Sequence, residues 1–385
     1  MSSERPSAAG APSDGVVVPL RRPGAGGPGA PGAGPRAAAD AGPRATAQAG
    51  SGVQAGSGVQ DGSGVQDAAV ALARLLARGV VRGTAGSARA ADVLGRRGAR
   101  LATGPGADLA RRALRTGALL GRRVSGDYEV DELGFDRELT EEVLLDLLRP
   151  LYRRWFRVEL RGADRVPRGG GALLVSNHSG TVGIDALMTM VAVRDDVPGG
   201  RHLRVLAADI VLAAPVLGDL ARRAGITLAS PDDAERLLAA GELVGVWPEG
   251  YKGVGKHFRD RYRLQRFGRG GFVASALRAG VPIVPVAVVG AEEVYPRIGD
   301  IAPLARLLGL PYVPVTPFFP LLGPLGLVPL PSRWVVQLGE PVRTDLAPAG
   351  TADDPAVVLD LADQVRESIQ ESLHALLEQR TSVFR

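Results

Sequence analysis

The chain has 385 residues, of which 45% are hydrophobic, a formal net charge of +5 and no cysteine. That length buries one sizeable core or two smaller ones, and the lack of cysteine excludes disulfides, thiolate metal sites and a cysteine nucleophile, which fits a reducing compartment. The histidines, His178, His202, His257 and His374, include no pair at the spacing of a helical zinc motif, so no metal site is expected.

Charge is unevenly spread. Residues 68–123 hold twelve arginines and no lysine against Asp92 and Asp108 alone, which leaves the rest of the chain net negative. Before them, residues 1–67 are dominated by Gly, Ala, Pro and Ser and end in the hexapeptides GSGVQA, GSGVQD and GSGVQD, starting at Gly50. Three short copies with one valine each cannot build a core, so a disordered low-complexity tail is expected. Glu4 and Asp14 with no apolar run give neither a signal peptide nor a membrane anchor, which points to the cytoplasm.

Residues 68–126 form an Arg-rich segment with short helices expected near 68–82, 88–101 and 107–123. The segment has no aromatic residue, which argues against nucleic acid as a partner, since single-strand binders stack bases on aromatic rings. A basic amphipathic surface lying on anionic lipid and a solvated linker both fit it.

From about residue 127 to 385 the texture is that of a globular domain. Val143, Leu144, Leu147, Leu148, Leu151 and Tyr152 recur at helical spacing, with Thr140 placed to cap the start. Apolar runs at 172–176, 203–207, 243–247, 282–289 and 334–338 predict strands, and 185–194, 212–224, 231–240 and 270–279 predict helices between them. The fold class is therefore α/β, a mixed, largely parallel sheet flanked by helices, with a helical N-terminal extension and the tail. A last helix, opened by Asp354 and Pro355, carries Val358, Leu361, Val365, Ile369, Leu373 and Leu376 on one face.

No charge occurs between Arg306 and Arg333, but seven prolines from Pro311 to Pro331 rule out a membrane-spanning helix. An apolar loop carrying Tyr312, Phe318 and Phe319 is expected there, either tucked against the protein or pressed into a membrane interface.

Two stretches carry chemistry. In SNHSGTVGIDALM, His178 follows a predicted strand, where open α/β sheets place their ligands, and Asp185 comes seven residues later. A continuous helix would hold the two about 10 Å apart along its axis. Gly180 and Gly183 suggest a bend that brings the carboxylate to the imidazole, leaving the other ring nitrogen to accept a proton. On spacing alone, a strand-end histidine that caps a turn remains the alternative.

The second stretch, LVGVWPEGYKGVGKH, fits GxxxxGK at Gly250, Gly255 and Lys256. A phosphate loop needs Ser or Thr after the lysine and then a helix, and here His257 and a charged, irregular run follow instead. No GxSxG occurs either, so the chain shows no nucleophile elbow. A histidine without an attached nucleophile can still work as a base on the substrate's own hydroxyl, which is direct acyl or group transfer.

NHSGTVGID, WPEGYKG and VPIVPVAVVG, in this order over roughly residues 127–385, resemble the blocks of the glycerolipid (lysophospholipid) acyltransferases, including the 1-acylglycerol-3-phosphate acyltransferases. The resemblance implies a peripherally or monotopically membrane-associated enzyme on the cytoplasmic face. It would move a fatty acyl group from coenzyme A or acyl carrier protein, used as co-substrate with no bound cofactor, to a lipid acceptor. By matching position, His178 is the general base and Asp185 its orienting partner, while Ser179, Gly180, Pro248, Glu249, Gly250 and Lys252 contact the substrate.

Two departures stand out. Six residues separate His178 from Asp185 where four are usual, and the block that usually ends in arginine reads GITLAS, ending at Ser230. Lysophosphatidic acid is the default acceptor, with a neutral acylglycerol or another lipid alcohol as the rival. Lys252, Lys256, Arg259, Arg261, Arg263, Arg266 and Arg269 would form a cationic rim for coenzyme A phosphates or headgroups, or a solvated loop. A non-enzymatic lipid- or nucleic-acid-binding protein on a dead acyltransferase fold is the reading from another class, and the presence of both His178 and Asp185 argues against it.

Overall fold

In the computed structural model of the chain, the described residues are 128–384 together with 117, 119, 121–123 and 125–126. The expected tail and most of the Arg-rich segment lie outside them.

Among the described residues nine strands follow in chain order: β1 (Glu159–Arg161), β2 (Ala172–Ser176), β3 (Leu203–Ala207), β4 (Ile226–Leu228), β5 (Leu243–Val246), β6 (Ile283–Val289), β7 (Gly299–Asp300), β8 (Pro314–Val315) and β9 (Val335–Leu338). Seven of them form one sheet in the order β1-β9-β6-β2-β5-β3-β4, and β7 and β8 form a separate ribbon. From β6 to β4 the strands are parallel, whereas β9 runs antiparallel to β6 and β1 runs parallel to β9.

The five apolar runs read from the sequence are β2, β3, β5, β6 and β9. All residues of β2 and β6 are buried, as expected of central strands covered on both faces. Val284, Val286 and Val288 of β6 enter one core with helix α1 (Ile184–Asp195). Ile283, Ala287 and Val289 enter the other, with α2 (Pro231–Ala239), α4 (Gly271–Ala279) and α5 (Pro355–Gln379). Between α2 and α4 lies a single helical turn, α3 (Gly250–Val254). Asp354 caps α5 by accepting from the Ala356 and Val357 amides, and all six predicted core residues of that helix are buried. Burial stabilises by about 1.5–3 kcal/mol for each fully covered Val, Leu or Ile, so α5 is a major part of its core.

Three expectations change. The first helical segment, residues 137–155, is capped by Asp136, whose carboxylate accepts from the Leu139 amide at 2.8 Å. Thr140 lies a turn further on, buried, and donates its hydroxyl to the Arg223 carbonyl at 2.9 Å, so it joins this segment to the end of the helix Leu217–Arg223 instead of capping its own. The helix expected over 212–224 is two helices, Asp209–Ala213 and Leu217–Arg223, because Pro215 cannot donate into a continuous helix. β1 and β4 were not expected; both are three-residue sheet-end strands with too little apolar sequence to signal themselves.

The uncharged stretch holds no membrane span, and no helix among the described residues is long and apolar enough to cross a bilayer. A helix at Ala302–Leu308 ends at Gly309 in the left-handed region, and the chain then runs through β8 and a short 3-10 turn at Gly323–Leu327.

Candidate active site

The site grows from the end of β2. Asn177 continues the strand by exchanging two side-chain hydrogen bonds with the Val288 backbone of β6, at 3.0 and 2.7 Å. Gly180, Thr181 and Gly183 then take φ of 86°, 64° and 67°, which folds the chain back before α1 begins. This is the bend the glycines suggested. It carries His178 Nδ1 to 2.9 Å from Asp185 Oδ2.

Asp185 is fully buried in the first turn of α1. Oδ2 also accepts the Ser179 amide at 2.8 Å and Oδ1 accepts the Ala186 amide at 3.0 Å. A carboxylate that already accepts from two amides accepts from the imidazole as well, so Nδ1 carries the proton and Nε2 keeps its lone pair. Among the described residues no side chain hydrogen-bonds Nε2. The imidazole is 17% exposed and lies beside the Trp247 ring, with centroids 5.9 Å apart.

Glu249 holds the same histidine from the other side. Its Oε1 accepts the His178 amide at 2.8 Å, and Oε2 accepts the Gln265 amide at 2.7 Å and the Lys256 ammonium at 3.3 Å. The carboxylate is therefore enclosed, fixing two loops to each other, and its contacts are with the protein. Lys256 completes a buried triad by reaching Glu292 Oε1 at 3.0 Å, with its side chain only 5% exposed. Its place is thus in the interior, and it drops out of the expected cationic rim. Burial pushes the Glu292 carboxyl up to about 7 against the opposing pull of Lys256, with the nearby Glu249 carboxylate adding a smaller push. Burial disfavours the charged Lys256, but the two carboxylates outweigh it and hold Lys256 above its ordinary value.

Of the remaining predicted site residues, Ser179 and Gly180 are buried in the bend, Pro248 is half-buried, and Gly250 and Lys252 are exposed on α3. That turn packs directly on the site: a Cβ at Gly253 would stand 2.5 Å from Glu249 Cβ and 3.0 Å from His178 Cβ. Gly253, Asn177, Thr181, Lys256 and Glu292 are the neighbours that sequence reasoning did not place here. Ser230 follows β4 and its hydroxyl caps α2 by accepting from the Asp233 amide at 3.2 Å.

Arg261, Arg263, Arg266 and Arg269 are exposed, which fits a cationic rim and a solvated loop alike. Arg259, Arg261 and Arg263 line a cavity of about 470 Å³ together with His374 and Arg380. The loop carrying them is pinned by Tyr262, whose hydroxyl donates to Glu293 at 2.5 Å and accepts the Gly290 amide at 2.9 Å.

Residues 157–289 match the model of the Acyltransferase family. An uncharacterized protein of Mycobacterium tuberculosis is 54% identical over 277 residues, which cover 72% of this chain and 77% of that protein. A human protein described as a DGAT1/2-independent enzyme synthesizing storage lipids is 25% identical over 217 residues, 56% of this chain and 60% of its own. The crystal structure of the 1-acyl-sn-glycerophosphate (LPA) acyltransferase PlsC from Thermotoga maritima aligns with a TM-score of 0.42 at 17% identity, over 64% of this chain and 85% of that one. The matched span runs from just before β1 through the whole of β6 and so includes His178, Asp185 and Glu249; the chain belongs to the acyltransferase family.

Proposed function

We propose that the protein transfers a fatty acyl group from a thioester of coenzyme A or acyl carrier protein to a hydroxyl of a glycerolipid, at the cytoplasmic face of a membrane. The observation that carries this reading is the His178–Asp185 pair, with Nδ1 fixed at 2.9 Å and Nε2 unengaged. Nε2 takes the proton of the acceptor hydroxyl as its oxygen attacks the thioester carbonyl. The tetrahedral intermediate expels the thiolate, and the imidazolium returns the proton to give the free thiol. Asp185 fixes the tautomer and stabilises the imidazolium while it exists. Acyl transfer is direct, since no cysteine exists and no hydroxyl among the described residues is hydrogen-bonded to Nε2.

The acceptor on this reading is lysophosphatidic acid or a related lysolipid, with Lys252 on α3 as the exposed cation closest in sequence to Glu249. A neutral acylglycerol is the second reading. Ser230 supports it, because a helix cap stands where an arginine is usual, and so does the storage-lipid description of the human relative.

The test is thiol release from acyl-CoA with a panel of lysolipids and neutral acylglycerols, following the lipid product in wild type and His178→Ala. Release that needs an acceptor and disappears in the variant is expected, and the preferred acceptor decides between the two readings. Release that survives the substitution refutes the assignment of the base.

A further inference from the structure

Residues 307–328 carry the densest set of exposed leucines among the described residues. Leu307, Leu321 and Leu325 are 81%, 83% and 73% exposed, and Leu308, Leu322 and Leu327 are more than half exposed. No charged residue lies between Arg306 and Arg333 to solvate them. Exposed apolar side chains occur elsewhere too, as at Val216 and Leu217, but there Asp219, Arg222 and Arg223 stand close by in sequence. A dense set of exposed leucines costs solubility and marks an interaction surface.

Its edges have the chemistry of a membrane boundary. Trp155, 38% exposed, donates its indole N–H to the Pro329 carbonyl at 2.9 Å. Arg157 holds the Pro331 carbonyl at 2.8 Å, and Arg306 is exposed at the other end. An apolar centre flanked by tryptophan and arginine suits the passage from acyl chains to headgroups.

The same segment is fastened to the loop that carries His178. The Tyr312 hydroxyl donates to the Thr181 carbonyl at 2.5 Å. A second route runs from the Leu327 carbonyl to the Tyr295 hydroxyl at 2.6 Å, and from the Tyr295 carbonyl to the Thr181 hydroxyl at 3.1 Å. Thr181 lies between the two glycines of the bend, so both routes end three residues from the proposed base.

We infer that residues 307–328 are the surface by which the protein docks on a lipid bilayer, seating its leucines among the acyl chains of one leaflet and presenting the His178 loop to the headgroup layer. The inference rests on the lipid-acceptor reading for the choice of a bilayer over a second copy of the chain. Docking is in-plane, because no described helix can cross the membrane.

The experiment is vesicle flotation of the full chain with no substrate present, using pure phosphatidylcholine and equal parts phosphatidylcholine and phosphatidylglycerol. Wild type should float with both, and more strongly with the anionic vesicles because of the flanking arginines. Leu321→Glu/Leu325→Glu should reduce partitioning by at least about 100-fold, since two leucine insertions are lost and two charges must be desolvated. Leu346→Glu, which alters an exposed leucine outside the segment, should bind as wild type does. The double variant should keep its melting temperature and its activity on a water-soluble short-chain acceptor, while losing activity on acceptor embedded in vesicles. His178→Ala should float normally, so failure of the acyl-transfer reading and failure of docking are read out separately. Undiminished flotation of the double variant overturns the proposal. So does a wild type that ignores vesicles but forms dimers that the double substitution dissociates by light scattering.

Discussion

Lys256→Met tests whether the buried triad beneath the site is organised as described. The ammonium is the only cation within ion-pairing distance of Glu249 and Glu292 among the described residues, at 3.3 and 3.0 Å. Removing one partner of a buried pair costs about 3–5 kcal/mol. At roughly 2–4 °C per kcal/mol for a domain of this size, the melting temperature should fall by about 6–20 °C.

The fall has a pH signature. Glu292 binds its proton with a pKa of about 7 when folded against an ordinary 4.5, so between those limits the folded state holds the extra proton. Its contribution to stability is complete below the lower value and is lost as pH rises through the upper one. Lys256→Met removes the charge that opposes protonation, so the variant should keep Glu292 protonated to higher pH and lose stability more steeply than wild type from about pH 6 to about pH 8.5. Adding Glu292→Gln should recover part of the loss at the higher pH. Scanning calorimetry of the full chain at the two pH values is the assay. An unchanged melting temperature at about pH 8.5, or a larger drop at about pH 6, refutes the triad as the source of stability.

Asp185→Asn should leave the fold intact and lower kcat by roughly 100-fold to 10,000-fold, because an amide can donate to Nδ1 and so favour the wrong tautomer; steady-state thiol release with circular dichroism as control checks this. Gly253→Ala should lower kcat at least about tenfold with less effect on KM, since its Cβ must displace Glu249 or His178, and should destabilise by about 1–3 kcal/mol, read by thermal melts. Arg261→Glu/Arg263→Glu should raise the KM for acyl-CoA by about 3-fold to 10-fold at low salt, with the effect shrinking as salt is added; a KM insensitive to the change would assign those arginines to solvent.

How much of this was legible in the sequence follows from the range of each interaction. His178 and Asp185 lie seven residues apart with Gly180 and Gly183 between them, so the bend could be expected from local chemistry, and the 2.9 Å contact follows. The central strands announced themselves because burial on both faces leaves unbroken apolar runs. Lys256 did not, because a lysine among glycines and arginines has the pattern of a solvated loop, and its partner Glu292 comes from beyond β6. The role of Glu249 on the His178 amide was hidden for the same reason: it joins two strand ends 71 residues apart. Asp136 was passed over as a cap because the apolar periodicity starts only after the first turn it caps.

The antiparallel pairing of β6 with β9 has a further consequence. Val289 pairs with Val335, so everything between them leaves the sheet and returns to it across one strand spacing, about 5 Å. Part of that excursion is tied to the site: Ala291, Val294 and Trp334 belong to the core, and Glu292 closes the triad that holds Glu249. The exposed leucines of residues 321–325 lie outside those contacts. Closed loops tolerate changes of length with little entropic cost, so that stretch can vary while the supports of His178 stay in register.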